Sequence, residues 1–198
     1  MKDQNIKALL IIGNDKIGRK LINQIEEKDD FVIALYNTRD YKRLFKLILI
    51  NQTLSINAAL HMIVAELLRK NSIVENLDFV TSNDDIQQLI KSKNIKKVVL
   101  FRAGIIINNN LLSSDVDFFN IHCAKIPEFG GIGQIFRIYK EKAFRQVATL
   151  HKVEKEIDRG EVIATKDYLL DESLTYLECE NIAYNTGIEL FLNYINHL

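Results

Sequence analysis

The chain has 198 residues, a length that fits one domain built around a single core, so we take residues 1–198 as one catalytic domain. Its 26 basic residues balance its 26 acidic residues, which disfavours nucleic-acid binding, because that function usually needs a surplus of Lys and Arg on one face. The two cysteines lack zinc-site spacing, and neither a secretion signal nor a membrane span is evident, so we expect a soluble cytoplasmic protein without a metal.

Short apolar runs of β type alternate with longer amphipathic stretches in the first half of the chain. The predicted strands cover residues 6–12, 31–35, 79–81, 97–102 and 118–122. Between them, apolar residues recur at helical spacing, and Ser82 is a candidate helix N-cap. This alternation predicts an α/β fold, with a mostly parallel sheet covered by helices on both faces.

The second half of the chain has a different pattern. Residues 146–153 and 161–169 have the character of two extended segments, and Asp158, Arg159 and Gly160 lie between them in a predicted turn. A final helix from about Ser173 to Ile195 is expected to close the domain.

The segment from Gly13 to Gly18 follows the first strand, where a nucleotide-binding fold would carry its phosphate loop. A dinucleotide fingerprint needs glycine at the position of Asp15, because a carboxylate there would repel a pyrophosphate. Arg19 and Lys20 follow Gly18, so the Lys-Ser/Thr pair of a P-loop is absent as well. The segment therefore predicts a tight strand-to-helix turn.

Asn120 and His122 lie at the carboxyl end of a predicted strand, where ligands collect in open α/β sheets. Since strand side chains alternate, both residues project to one face and Ile121 to the other. An amide can donate to a developing oxyanion and an imidazole can accept a proton from an amine, so the pair suits acyl transfer. The alternative is a structural hydrogen-bonded pair without catalytic function.

Two segments together resemble the folate-dependent formyltransferase family, which includes glycinamide ribonucleotide, methionyl-tRNA and sugar-nucleotide N-formyltransferases. The resemblance covers about residues 98–167. The family pattern joins Asn-x-His, a following Pro, His-x-Val and Asp-x-Gly, and this chain has Asn120-Ile121-His122, Pro127, His151-Lys152-Val153 and Asp158-Arg159-Gly160. The resemblance implies a Rossmann-like formyltransferase fold.

The resemblance also implies a role for each residue of the site. Asn120 would stabilise the tetrahedral oxyanion, His122 would handle the proton, and Asp158 would orient and support His122. A carboxylate beside an imidazole raises the pKa of the imidazole, so we expect Asp158 to favour the charged form of His122.

The implied formyl donor is 10-formyltetrahydrofolate, whose pterin the family binds through main-chain groups of two loops in an apolar slot. The matching positions in this chain are Arg102, Ala103, Gly104, Ile106, Glu154, Lys155 and Ile157. A second interpretation, compatible with the first, places residues 105–107 in a core strand.

The sequence departs from the family pattern at two places. Many members follow the histidine with Pro-Ser and later carry Arg-Gly, whereas this chain has Cys123-Ala124 and Gly130-Gly131. We expect the loop at Gly130 and Gly131, a candidate for substrate binding, to differ in shape. Cys123 faces away from His122 by strand alternation, which favours a small buried residue over a nucleophile.

The acceptor is predicted by elimination. A methionyl-tRNA enzyme would be expected to carry a further tRNA-binding domain, and a glycinamide ribonucleotide enzyme a Gly-Ser-Asn phosphate loop where this chain has Gly13-Asn14-Asp15. We therefore favour a nucleotide-linked amino sugar used in polysaccharide synthesis, with Arg39, Tyr41 and Arg43 as candidates to meet its diphosphate. Glycinamide ribonucleotide and a catalytically silent folate-binding member are the alternatives, and a homodimer is compatible with each.

Overall fold

The computed structural model of the protein describes residues 6–37, 55–74 and 77–198. Arg39, Tyr41 and Arg43, the candidate diphosphate contacts, lie outside the described residues. The strands are β1 (Ala8–Gly13), β2 (Phe31–Tyr36), β3 (Asp78–Val80), β4 (Lys97–Phe101), β5 (Asp117–His122), β6 (Arg145–Lys152) and β7 (Val162–Leu169). The helices are α1 (Lys16–Ile22), α2 (Ile56–Leu68), α3 (Asn83–Lys93), α4 (Asn109–Leu112), α5 (Gln134–Glu141) and α6 (Tyr176–Ile195), with a short 3-10 helix at Lys28–Asp30.

The strands form one sheet with the order β3-β2-β1-β4-β5-β6-β7. The first five strands are mutually parallel, whereas β6 runs antiparallel to β5 and β7 antiparallel to β6. Parallel neighbours need crossover connections, which the helices between the strands supply. The predicted mostly parallel α/β sheet is thus confirmed, and the hairpin of β6 and β7 accounts for the different pattern of the second half.

Both faces of the sheet are buried at the central strands, such as β1 and β4. Alternate strand residues pack with α6 on one face, and the intervening residues pack on the other face with α3 and the segment around α4. In β5, Phe119 and Ile121 belong to the face covered by α6, and Phe118 belongs to the opposite face. Asn120 and His122 therefore share the face of Phe118.

Local signals read from the sequence place the elements within a few residues of their observed bounds. Ser82 caps α3, where its side chain accepts the Asp85 N–H in a capping box. Asp15 caps α1 by accepting the Gly18 N–H at 2.8 Å, so the predicted strand-to-helix turn is confirmed. Gly18 permits a close approach there, because a Cβ atom at this position would lie 1.9 Å from the Gly13 carbonyl oxygen.

One interpretation of the sequence is wrong, namely that residues 105–107 form a core strand. They lie in a loop, because Arg102 adopts a left-handed conformation with φ 55° that ends β4. Only Ile107 of this run is fully buried. Across the three described ranges, every helix is too short or too polar to cross a membrane.

Candidate active site

Three side chains that are distant in sequence meet at the carboxyl end of β5. The Asp158 carboxylate lies 3.3 Å from His122 Nδ1 through its Oδ2 atom and 3.5 Å from Asn120 Nδ2 through its Oδ1 atom. His122 and Asp158 are separated by 36 residues (158 − 122). The structure therefore brings together all three residues to which the resemblance gave catalytic roles, and their function remains a proposal.

The segment between β6 and β7 brings Asp158 to the site. It folds back against β5, where the Val153 N–H donates to the Phe118 carbonyl at 2.8 Å, and the Lys152 N–H donates to the Glu161 carbonyl at 2.9 Å. Asp158 itself has φ 50°, in the left-handed region that short polar side chains tolerate better than most. This turn directs the carboxylate inward, and only 10% of its side chain is exposed.

Asp158 is surrounded by donors. Burial alone would raise the pKa of its carboxyl, but hydrogen bonding by His151, the charge of His122 and the Gly131 N–H bring this pKa to about 2. The Gly131 N–H donates to Oδ2 at 2.7 Å, and His151 Nε2 lies 3.4 Å from Oδ1. Asp158 is therefore ionised at neutral pH.

His122 is buried, with 8% of the residue exposed. Its Nε2–H donates to the Phe129 carbonyl at 2.8 Å, since a carbonyl can only accept. In the neutral ring this leaves the Nδ1 lone pair facing Asp158, so a proton arriving at Nδ1 would form a charge-assisted hydrogen bond.

The pKa of His122 is set by two opposing effects. Burial lowers this pKa by more than Asp158 and the Phe129 carbonyl raise it, so the net shift is downward. The expectation that Asp158 favours the charged form of His122 is confirmed, because its charge raises this pKa. The sequence offers no measure of the larger, opposite effect of burying the ring. The lowered pKa favours the neutral form of His122 at physiological pH, and Asp158 limits how far this pKa falls.

His151 also lies at the site. The sequence analysis named it only as part of the His-x-Val motif and gave it no role. It pairs with Asn120 in the register of β5 and β6, and its Nε2 lies 3.1 Å from Asn120 Nδ2. Its Nδ1–H donates to the Lys152 carbonyl at 2.8 Å, and its Nε2 lies between the Asn120 amide and Asp158 Oδ1. His151 thereby orients the Asn120 side chain, and strand alternation across paired residues could have indicated this contact.

Gly130 and Gly131 lie against Asp158. A Cβ atom built on Gly130 would come within 3.1 Å of the Asp158 Cβ atom. Gly131 has φ 79°, and a Cβ atom there would meet nothing within 4 Å. The predicted substrate-binding pair therefore contacts the carboxylate on one side and borders open space on the other.

The residues predicted to bind folate lie in two loops. Ala103, Ile105 and Val153 pack on the sheet face that carries Asn120 and His122, which gives this region an apolar lining. Ile106 is 62% exposed and its carbonyl accepts from Asn83 Nδ2 at 3.0 Å. The other predicted positions that are exposed are Gly104, Glu154, Lys155 and Ile157.

The Arg102 side chain points away from this lining. Its Nε donates to Asp15 Oδ2 at 2.7 Å, and its guanidinium lies 4.1 Å from the centre of the Tyr184 ring. Arg102 could therefore contact a folate only through its backbone, as the resemblance implies. Through the ion pair with Asp15, its side chain instead connects the end of β4 to the turn after β1.

Cys123 is buried against α6, where a Cβ atom on Gly187 would lie 2.4 Å from the Cys123 sulfur. Burial raises the pKa of its thiol to about 12. The cysteine thus faces away from His122, as alternation predicted, and is a packing residue. No group of three or more His, Cys, Asp or Glu side chains suited to a metal ion occurs in the described ranges.

Comparisons with known proteins show what the chain is similar to. No family model matches the chain. A methionyl-tRNA formyltransferase from Rickettsia rickettsii (strain Iowa) is 26% identical over 111 residues, which are 56% of this chain and 37% of that protein. The chain thus matches little more than a third of the length of this curated relative.

Solved structures agree over nearly the whole chain. A phosphoribosylglycinamide formyltransferase from Campylobacter jejuni superimposes with a TM-score of 0.63 at 15% identity, covering 97% of this chain and 96% of its own. The chain has the formyltransferase fold. A sugar N-formyltransferase from a Shewanella species gives a TM-score of 0.62 at 18% identity, covering 96% of this chain and 68% of its own.

These findings confirm the resemblance to formyltransferases that the two sequence motifs indicated. The three proteins with the formyltransferase fold or sequence are named for different acceptors: a methionyl-tRNA, a phosphoribosylglycinamide and a sugar. The names of these proteins therefore indicate no single acceptor.

Proposed function

We propose that the protein is a cytoplasmic N-formyltransferase that transfers a formyl group from 10-formyltetrahydrofolate to the amine of a nucleotide-linked amino sugar. Residues 1–198 act as one catalytic domain in this proposal. The observation that carries the chemistry is the 3.3 Å approach of Asp158 to His122 Nδ1, beside Asn120, within a formyltransferase fold.

Each of the three side chains has a physical reason for its role. Asn120 donates to the oxygen that becomes negative when the amine nitrogen bonds to the formyl carbon. His122 takes the proton that the amine loses and returns it to the nitrogen that leaves. Asp158, ionised and 3.3 Å from Nδ1, stabilises the imidazolium between these two transfers.

The two predicted folate loops suit a flat ring system. Ala103, Ile105 and Val153 supply apolar surface on the face of the sheet that bears the catalytic residues. Gly104 and the residues from Glu154 to Ile157 are exposed, and their backbone groups are the proposed hydrogen-bonding partners of the donor. A donor bound there would present its formyl group toward Asn120.

The turn after β1 favours a sugar nucleotide over glycinamide ribonucleotide as the acceptor. Asp15 accepts the Gly18 N–H, and Glu66 accepts the Lys16 N–H at 2.9 Å, so carboxylates already use amides at the start of α1. These two amides therefore do not point at a phosphate, which a phosphate loop at this turn would require. An acceptor whose phosphates lie elsewhere is compatible, and the open space beside Gly131 is a route to the carboxylate.

The experiment is a formyl-transfer assay on purified protein with 10-formyltetrahydrofolate and four classes of acceptor. These are nucleotide-linked amino sugars, glycinamide ribonucleotide, methionyl-tRNA and a free amino sugar as a control for the nucleotide. Mass spectrometry should detect a gain of one formyl group on an amino-sugar nucleotide. Product from glycinamide ribonucleotide alone would favour the purine alternative, and folate binding without product from any amine would establish the silent alternative.

The same assay tests the assigned roles. His122→Ala should abolish turnover, and Asn120→Ala should lower kcat on the order of a hundredfold, as for loss of an oxyanion donor. His197→Ala is the matched control, since His197 is exposed near the end of α6. Turnover by the His122 variant at a rate close to that of the His197 variant would refute the proposed proton transfer.

A further inference from the structure

The loop between β5 and α5 holds both ionisable members of the candidate site through its backbone. The Phe129 carbonyl accepts from His122 Nε2, and the Gly131 N–H donates to Asp158 Oδ2 at 2.7 Å. The two adjacent peptide groups on either side of Gly130 therefore contact both His122 and Asp158. Their effect depends on a loop that contains two consecutive glycines, which are intrinsically permissive residues.

Arg137, in the first turn of α5, holds this loop through two hydrogen bonds. Its Nη2 donates to the Gly130 carbonyl at 2.5 Å, and its Nη1 donates to the Ile132 carbonyl at 2.8 Å. These two carbonyls flank Gly131 on either side. The planar guanidinium fork thus fixes the peptide units around the N–H that points at Asp158.

The arginine also belongs to the charges around His122. The groups that face this ring are Asp158 from the segment after β6, His151 from β6 and Arg137 from α5. Arg137 donates hydrogen bonds to the two neutral carbonyls, and its charge acts on Asp158 and His122 from a distance. Removing the guanidinium would therefore change both the loop and the field at the ring.

We propose that Arg137 is a positioning residue, which holds the Gly130–Ile132 backbone in place. The Gly131 N–H and the Phe129 carbonyl then keep Asp158 and His122 at the distance seen in the structure. In this role it acts through the backbone of the loop. This inference rests on the proposed formyl transfer for its activity readout only, because the geometry of the loop can be measured without any substrate.

The test compares Arg137→Met, Arg137→Lys and the matched control Arg145→Met, which alters an exposed arginine at the start of β6. Nuclear magnetic resonance follows hydrogen exchange of the Gly131 amide and the pH titration of the His122 ring. A formyl-transfer assay gives kcat and KM. Thermal unfolding shows whether each variant keeps the fold.

In Arg137→Met we expect faster exchange at Gly131, a His122 midpoint at higher pH, and a kcat lower by about tenfold or more, because small displacements of catalytic groups are costly. Arg137→Lys keeps the charge but lacks the fork, so it should restore the midpoint and leave exchange and kcat impaired. Arg145→Met should resemble the parent protein in all three measurements.

Unchanged Gly131 exchange and an unchanged His122 midpoint in folded Arg137→Met would overturn the inference, even if the variant melts at a lower temperature. Full rescue of exchange and kcat by Arg137→Lys would also overturn it, since charge alone would then suffice. If the parent protein formylates no acceptor, the proposed function fails, and the resonance measurements still decide the role of Arg137.

Discussion

Replacing Asp158 with Asn tests the electrostatic core of the proposed mechanism. Asn has nearly the same shape, can still accept the Gly131 N–H, and tolerates the left-handed conformation at φ 50°. The substitution therefore removes one negative charge and little else. At 3.3 Å and an effective dielectric constant of about 20, the attraction between this charge and an imidazolium is about 5 kcal/mol.

An attraction of this size would correspond to more than three powers of ten in rate if it were fully lost in the transition state. We expect kcat/KM for formyl transfer to fall on the order of a thousandfold in Asp158→Asn, with the acceptor saturated and the donor varied. Asp115→Asn is the matched control, because the Asp115 side chain is 96% exposed. A loss of less than about fivefold in Asp158→Asn would show that the carboxylate does not support a charged His122.

The same variant should change how stability depends on pH. The pKa of Asp158 is about 2 in the folded protein against an ordinary value of 3.8, so its charge stabilises the fold by about 2 kcal/mol above pH 4. This stability should be lost as the pH falls from about 4 to 2, because the unfolded chain takes up the proton first. Urea unfolding at pH 3 and pH 6 should show a smaller difference for Asp158→Asn than for the parent, and equal differences would contradict the low pKa.

Further predictions concern the neighbours of Asp158. Since burial lowers the pKa of His122 below 6.5, the parent should gain stability as the pH rises toward 6.5, and His122→Gln should lose that gain when urea midpoints at pH 5 and pH 7 are compared. Gly130→Ala should lower kcat about tenfold with little change in melting temperature, because its Cβ atom would lie 3.1 Å from Asp158; a parental kcat would mean that the loop adapts freely. The Cys123 thiol, buried and with its pKa raised to about 12, should resist iodoacetamide in the native protein and react after unfolding, and Cys123→Ala should keep its formyl-transfer activity.

Periodicity in the sequence was sufficient to predict the sheet and the shared face of Asn120 and His122. Alternation decides which side of a strand a residue occupies, so these two residues and Cys123 were placed correctly from local information alone. The position of Asp158 came instead from the resemblance to a family. Its approach to His122 depends on the left-handed turn and the folded-back segment after β6, which no local pattern specifies.

The sequence analysis predicted neither the hydrogen bonds made by backbone groups at the site nor the effect of burial on the pKa of His122. The Phe129 carbonyl and the Gly131 N–H act through the path of a loop, and Arg137 acts by holding that path. The downward pKa shift of His122 has the same origin, because the desolvation of the ring depends on everything packed around it. Residue identity alone indicated that the charge of Asp158 raises the pKa of His122. It gave no measure of how far burial lowers this pKa.

The left-handed conformation of Asp158 narrows the choice of residue at that position. Glycine, asparagine and aspartate are the residues that occupy this backbone region most readily, and among these three only aspartate carries a charge. Glutamate would keep the charge but is longer and less suited to the turn. A directed-evolution library randomised at this codon should therefore return aspartate almost alone among active clones, for reasons of backbone geometry as much as of chemistry.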